Sequence, residues 1–295
     1  MLKIGKKATE KVEFIVYVLP AMILVSLAIY IPFLMSMFYS LTEWNGIQSN
    51  PKFVGFKNFK QIFSGDSDFR NAGLFTLKYC ILYIILINVL ALLIAVILDK
   101  QLKLRNVLRA AFFIPYILSL VIVGFIWKFI FSQGFTALAA STGWGVFKLS
   151  WLGDPKLAFT SIVIVSVWQS VGFYVLIYIA GLQSVPYDLI EAATVDGAGP
   201  LRRFFQIVLP LLGPSVTTCV FMSLTNSIKV FDVILSLTAG GPGGSTYSLT
   251  YDIYKEAFQN NMYGYGSAKA FIMFIIILIV TVIQLKFFKS REVEA

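Results

Sequence analysis

Six predominantly apolar stretches run along the chain, at 14–40, 73–98, 110–131, 157–180, 207–235 and 268–285. Each has roughly the 20 residues that an α-helix needs to cross a bilayer, so they predict six transmembrane helices. Shorter helical patterns lie between them. Residues 53–63, FVGFKNFKQIF, interleave aromatic rings and lysines at helical spacing, which predicts an amphipathic helix on a membrane surface. Within 182–214, Ser184 is placed to cap a helix with Pro186 in its first turn and Asp188 and Glu191 near its positive end. Tyr187, Ile190 and Val195 line one side of that helix. Gly197 and Gly199 stop it, and Pro200 starts another that leads into the fifth span. The run Gly240-Gly241-Pro242-Gly243-Gly244 breaks regular structure.

Composition turns this pattern into a class. Of 295 residues, 58% are hydrophobic and 13% charged, against about 25% charged in a soluble domain. A water-soluble globule is excluded, and the chain reads as an all-α integral membrane protein with a single transmembrane domain over 1–295. The formal charge of +9 would suggest nucleic acid in a soluble protein. Here the basic residues flank apolar spans and form no basic face, so nucleic-acid binding is set aside. Segments 1–13, 99–109, 181–206 and 286–295 hold 13 Lys and Arg in 60 residues, and the alternate segments hold 7 in 89. The denser set is expected on the cytoplasmic side, with both termini inside. The stretch 14–40 has no convincing cleavage site and is expected to stay as the first span. Cys80 and Cys219 both fall inside spans and read as buried small hydrophobes. Lys78, Lys128 and Lys269 sit near span ends, where a long side chain can snorkel to the interface.

The chemistry of the spans is sparse. Histidine is absent and only Asp232 lies deep in a span. Ion- and proton-coupled carriers usually hold several intramembrane carboxylates or histidines, and no inverted repeat is visible. No phosphate-binding loop is present either. Neither a catalytic nor a metal-ligating constellation is read from the sequence, so energy for active transport must enter from another subunit. On a continuous fifth helix, Thr218, Met222, Thr225, Lys229, Asp232 and Ser236 share a face about 80° wide. Lys229 and Asp232, spaced i,i+3, are expected to pair. That face reads either as a structural ion pair or as the wall of a solute pathway, with Thr225 and neighbouring Asn226 as contact candidates. Trp168, Gln169, Ser170 and Tyr174 form a second polar-aromatic patch, suited to sugar stacking and to ordinary helix packing alike.

A family resemblance then enters. The string Glu191-Ala192-Ala193, then Asp196-Gly197-Ala198, then Ile207, Leu209, Pro210 and Pro214, resembles the EAA loop of the membrane subunits of binding-protein-dependent ABC importers. FVGFKNFKQIF is similar to the first outer loop of their sugar-permease branch. Lys229-Val230-Phe231-Asp232, followed by Leu237-Thr238-Ala239-Gly240-Gly241-Pro242, resembles that branch's end to the fifth span. The extra N-terminal spans and large outer domain of some larger members are not expected here. The resemblance implies a type I ABC importer permease fold in a prokaryotic cell membrane, acting beside a second, homologous permease. It also implies two cytoplasmic ATPase subunits, which bind the ATP and magnesium, and an external solute-binding protein that delivers a sugar or oligosaccharide. Residues Glu191, Ala192, Ala193, Asp196, Gly197 and Ala198 would form the ATPase-coupling element. Segments 41–72, 132–156 and 236–267 would meet the binding protein. Two alternatives stand beside this reading: the same machinery for glycerol phosphate or a polyamine, and an ATPase-independent channel or proton-coupled carrier.

Overall fold

The computed structural model describes residues 6–100 and 103–289, and the chain is predominantly helical. Helix α1 (Lys6–Val25) passes through a π-type turn at Ser26–Tyr30 into α2 (Ile31–Tyr39). Strands β1 (Thr42–Glu43) and β2 (Lys52–Phe53) pair antiparallel, Thr42 opposite Phe53 and Glu43 opposite Lys52. Helix α3 (Lys57–Gly65) is the expected amphipathic helix, with Asn58 and Ile62 buried. There follow α4 (Ser67–Asp99), α5 (Arg105–Ile117), α6 (Leu120–Phe129), α7 (Phe135–Thr142) and α8 (Pro155–Ser184). The chain ends with α9 (Tyr187–Val195), α10 (Pro200–Arg203), α11 (Leu209–Leu211), α12 (Gly213–Ile228), α13 (Leu249–Tyr254) and α14 (Tyr263–Lys289).

Among the described residues, five helical runs are long and apolar enough to cross a membrane: Glu13–Tyr39, Ser67–Asp99, Leu120–Thr142, Pro155–Ser184 and Tyr263–Lys286. A sixth is supplied by the pair Pro200–Leu211 and Gly213–Ile228, bent by 69°. Two boundaries differ from the sequence expectation. The third span, expected at 110–131, is cut where Leu118 and Ser119 are extended; the membrane-length run is Leu120–Thr142. Backbone carbonyls opened by that cut are met by the Gln169 amide nitrogen, 3.3 Å from both Tyr116 O and Leu118 O. The fifth span, expected as one helix over 207–235, bends at Leu212 between Pro210 and Pro214 and then leaves helical geometry again at Lys229–Phe231. Here the Ser248 hydroxyl donates to the freed Val230 carbonyl at 2.6 Å. Non-helical backbone at membrane depth survives only where such partners exist.

The chain forms two compact units. One holds the described residues up to Asp66 with Ile253–Met273; the other holds Ser67–Asp252 and the described residues from Phe274. In the second unit α8 is the hub, packed against α4, α5, α6 and α12. Helix α4 buries one stripe at helical spacing, Thr76, Tyr79, Tyr83, Ile87, Ala91, Ala95 and Leu98. Its two alanines are of the small type that lets membrane helices approach closely. Helix α5 crosses α8 at Gly172, where a Cβ would collide with the Phe112 carbonyl. Asn88 donates to Ser223 Oγ at 3.1 Å and accepts from the Tyr178 hydroxyl at 2.8 Å, tying α4, α12 and α8 together.

In the first unit the structure corrects one expectation. Lys269 does not snorkel: it is fully buried, 2.8 Å from Asp66 Oδ2 and 3.6 Å from Glu256 Oε1. The Tyr265 ring lies 5.0 Å from its nitrogen, and the Tyr265 hydroxyl donates to Asp66 at 2.7 Å. Several groups facing one buried ammonium lower the cost of keeping it from water.

Candidate functional site

A cavity of about 280 Å³ opens in the second unit where the fifth span breaks. Tyr79 and Tyr83 of α4, Tyr116 of α5, Ser166, Gln169 and Ser170 of α8, Asn226 of α12, and Lys229 and Asp232 of the break line it. Each wall follows from the local fold. The tyrosines at 79 and 83 stand one helical turn apart and stack at 5.5 Å between centroids. The Tyr83 hydroxyl and Ser170 Oγ lie 2.7 Å apart, which fixes the ring tip against α8. Because α12 stops at Ile228, the Lys229 and Asp232 side chains are presented from irregular backbone, and both are exposed.

That break also overturns the expected ion pair. The i,i+3 geometry requires a continuous helix, and Lys229 is instead the C-terminal cap of α12, at φ −93° and ψ 16°. The salt bridges among the described residues include no Lys229–Asp232 pair. They do include the buried cluster at Lys269, a residue expected to snorkel.

Of the seven pathway candidates, the structure brings Asn226, Lys229, Asp232 and Gln169 to the cavity wall. The other three are not among its lining residues. Thr225 turns its hydroxyl onto the Phe221 carbonyl at 2.9 Å. Trp168 packs edge-on to Trp127 at 5.5 Å, and Tyr174, 1% exposed, stands edge-on to Phe173. Sequence reasoning missed Tyr79, Tyr83 and Tyr116. For the first two a signal was present: hydroxyl-bearing residues at 76, 79 and 83 recur at helical spacing within an otherwise apolar span.

The second arrangement is the segment between α8 and α12. Helix α9 starts at Tyr187 with Pro186 as its N-cap, and no side chain caps it. Ser184, expected as the cap, is the last residue of α8 and donates to Gly181 O at 2.7 Å. The C-terminal end is closed by a Schellman turn. Ala198 N donates to Ala193 O at 2.9 Å and Gly197 N to Thr194 O at 3.1 Å, with Gly197 at φ +75°. Pro200 opens α10, and the Arg203 guanidinium donates to the Thr194 hydroxyl across the turn. Ala193 is buried, while Glu191, Ala192, Asp196 and Gly197 are exposed. Tyr187, Val195, Leu201 and Phe205 expose between 61% and 83% of their surface, a density of large apolar side chains that marks a contact surface.

Residues 101–292 match the family described as "Binding-protein-dependent transport system inner membrane component". The chain is 39% identical, over the full length of both chains, to the probable starch degradation products transport system permease protein AmyD of Thermoanaerobacterium thermosulfurigenes. It is also 39% identical to the multiple sugar-binding transport system permease protein MsmF of Streptococcus mutans, over 90% of this chain and 91% of that one. In fold it is similar to a chain of the crystal structure of a bacterial ABC transporter involved in the import of the acidic polysaccharide alginate. There the TM-score is 0.84 at 19% identity, with 97% of this chain and 98% of the other covered. A helical membrane chain with these relatives over its whole length belongs to the inner-membrane components of binding-protein-dependent transport systems.

Proposed function

We propose that the chain is the membrane-spanning permease subunit of an ATP-driven importer in a prokaryotic cell membrane, and that its solute is a sugar or oligosaccharide handed over by an external binding protein. It works beside a second, homologous permease and two ATPase subunits, which bind ATP and magnesium. Residues 1–295 act as one permease domain, and positive charge supports placing both termini in the cytoplasm. The observation that carries the reading is the cavity at the broken fifth span. Phenolic rings of Tyr79, Tyr83 and Tyr116 face the amides of Gln169 and Asn226 and the charges of Lys229 and Asp232. Rings offer apolar faces and the amides and charges offer donors and acceptors, which together match the two-sided surface of a pyranose.

On this reading α9 and the turn through Glu191, Ala192, Ala193, Asp196, Gly197 and Ala198 dock on an ATPase, whose surface covers the apolar side chains left exposed. Closure of the ATPases then tilts the spans and alternately opens the cavity to the two sides. The test is a binding screen of the cognate solute-binding protein against mono- and oligosaccharides, followed by uptake into proteoliposomes carrying both permeases and the ATPases. ATP-dependent uptake of the sugar bound most tightly, abolished without binding protein, is the expected result. Sugar entry that needs neither ATPase nor binding protein would refute it.

A further inference from the structure

A groove of about 770 Å³, outside the cavity described above, opens between α4 and α8. Its floor is the edge-on pair of rings Phe75 and Phe159, 5.5 Å between centroids. Along α4 it continues over Ile81 and Ile85, which expose 54% and 55% of their surface. At the end where α8 begins, Lys78 and Lys156 stand over this apolar slot. No Asp or Glu is among the lining residues, and neither lysine forms an ion pair with a described residue. The neighbouring carboxylate, Asp154, is turned onto its own helix, accepting from Lys156 N and Leu157 N at 2.9 and 3.0 Å.

Two cations over an apolar trough, on two membrane-spanning helices, call for an anionic head with a hydrocarbon tail. An apolar transmembrane helix of the partner permease would cover the isoleucines but give the two ammonium groups no counter-charge. A sugar would find nothing polar along the lower part of the trough. We propose that this groove binds an anionic phospholipid, its phosphodiester between Lys78 and Lys156 and an acyl chain along Phe75, Ile81 and Ile85.

The transporter, with its partner permease and ATPases, is placed in nanodiscs of phosphatidylcholine mixed with phosphatidylglycerol, and retained lipid is read by native mass spectrometry through stepwise delipidation. Wild type is expected to hold phosphatidylglycerol over phosphatidylcholine. Attraction of about fivefold per lysine, roughly thirtyfold for the pair, disappears in Lys78→Gln/Lys156→Gln. The Lys78→Arg/Lys156→Arg variant keeps it, which separates lost charge from lost folding. Ile81→Trp, which fills the trough without touching charge, releases the lipid from both the wild type and the Lys78→Arg/Lys156→Arg variant. Equal retention of the two lipids by wild type overturns the proposal. So does quantitative cross-linking of a cysteine at 81 to the partner permease, which would make the groove a subunit interface.

Discussion

Replacing Gly197 by valine tests whether the turn after α9 transmits force. Gly197 sits at φ +75°, where an L-residue pays about 1–2 kcal/mol and a β-branched one towards 3 kcal/mol. No atom lies within 4 Å of a Cβ built there, so no steric clash adds to that figure. The chain either holds the strain or opens the Schellman turn, releasing the bonds to Ala193 O and Thr194 O. A shift of about 2 kcal/mol lowers the equilibrium constant between the native and the opened turn roughly thirtyfold. Uptake in proteoliposomes should fall, by up to that factor, while transporter assembly and sugar affinity of the binding protein stay unchanged. Two comparisons make the inference specific. Gly197→Asn, tolerant of this φ, should retain most of the uptake. Gly199 lies at φ −67° with nothing near its Cβ position, so Gly199→Ala should be close to wild type. Wild-type uptake by the valine variant, or equal losses at 197 and 199, would refute the reasoning.

Three further outcomes follow from the same geometry. Lys229→Met and Asp232→Asn should each leave assembly intact and raise the KM for uptake; the double variant should be additive within about 0.5 kcal/mol, because the two side chains do not pair. A larger coupling in that cycle contradicts the broken helix. Lys269→Met strips the buried cation from Asp66 and Glu256 and should cost about 3–5 kcal/mol, read as loss of monodisperse protein by fluorescence-detected size exclusion; undiminished yield and melting temperature would count against the cluster. Cysteines at 5 and 200 should resist an impermeant thiol reagent in intact cells while one at 245 reacts, and labelling at 5 or 200 would invert the proposed topology.

Much of the fold was legible because hydropathy reports burial in lipid directly. The second, fourth and sixth spans lie within α4, α8 and α14, and the end of α9 before Gly197 was readable from glycine spacing. What escaped were the breaks. An apolar run says that residues avoid water, not that each peptide keeps its helical partner. The cut after α5 is held by Gln169 and the one after α12 by Ser248, donors from other elements whose arrival no local pattern announces. Lys269 misled for the same reason: proximity to a span end implied snorkelling, while Asp66, from far earlier in the chain, reached it first.

The breaks that hid from the sequence are also what joins the two halves of the proposed mechanism. From the Schellman turn at Gly197, the chain runs through α10 and α11 to the bend at Leu212, and α12 then carries it to the cavity wall at Asn226 and Lys229. A single straight helix over this stretch would convey an axial push, with its side chains keeping one register. The 69° bend breaks that register, and beyond it the Asn88–Ser223 hydrogen bond fastens α12 to α4. The non-helical backbone at Lys229–Phe231 separates the cavity wall at Asn226 from the π-type turn at Ile234–Thr238. On the proposed mechanism, an ATPase pushing α9 would therefore reach the cavity as tilt of α12 rather than as an axial push, and a polar contact that must be either made or broken favours two discrete arrangements of the wall over a continuum.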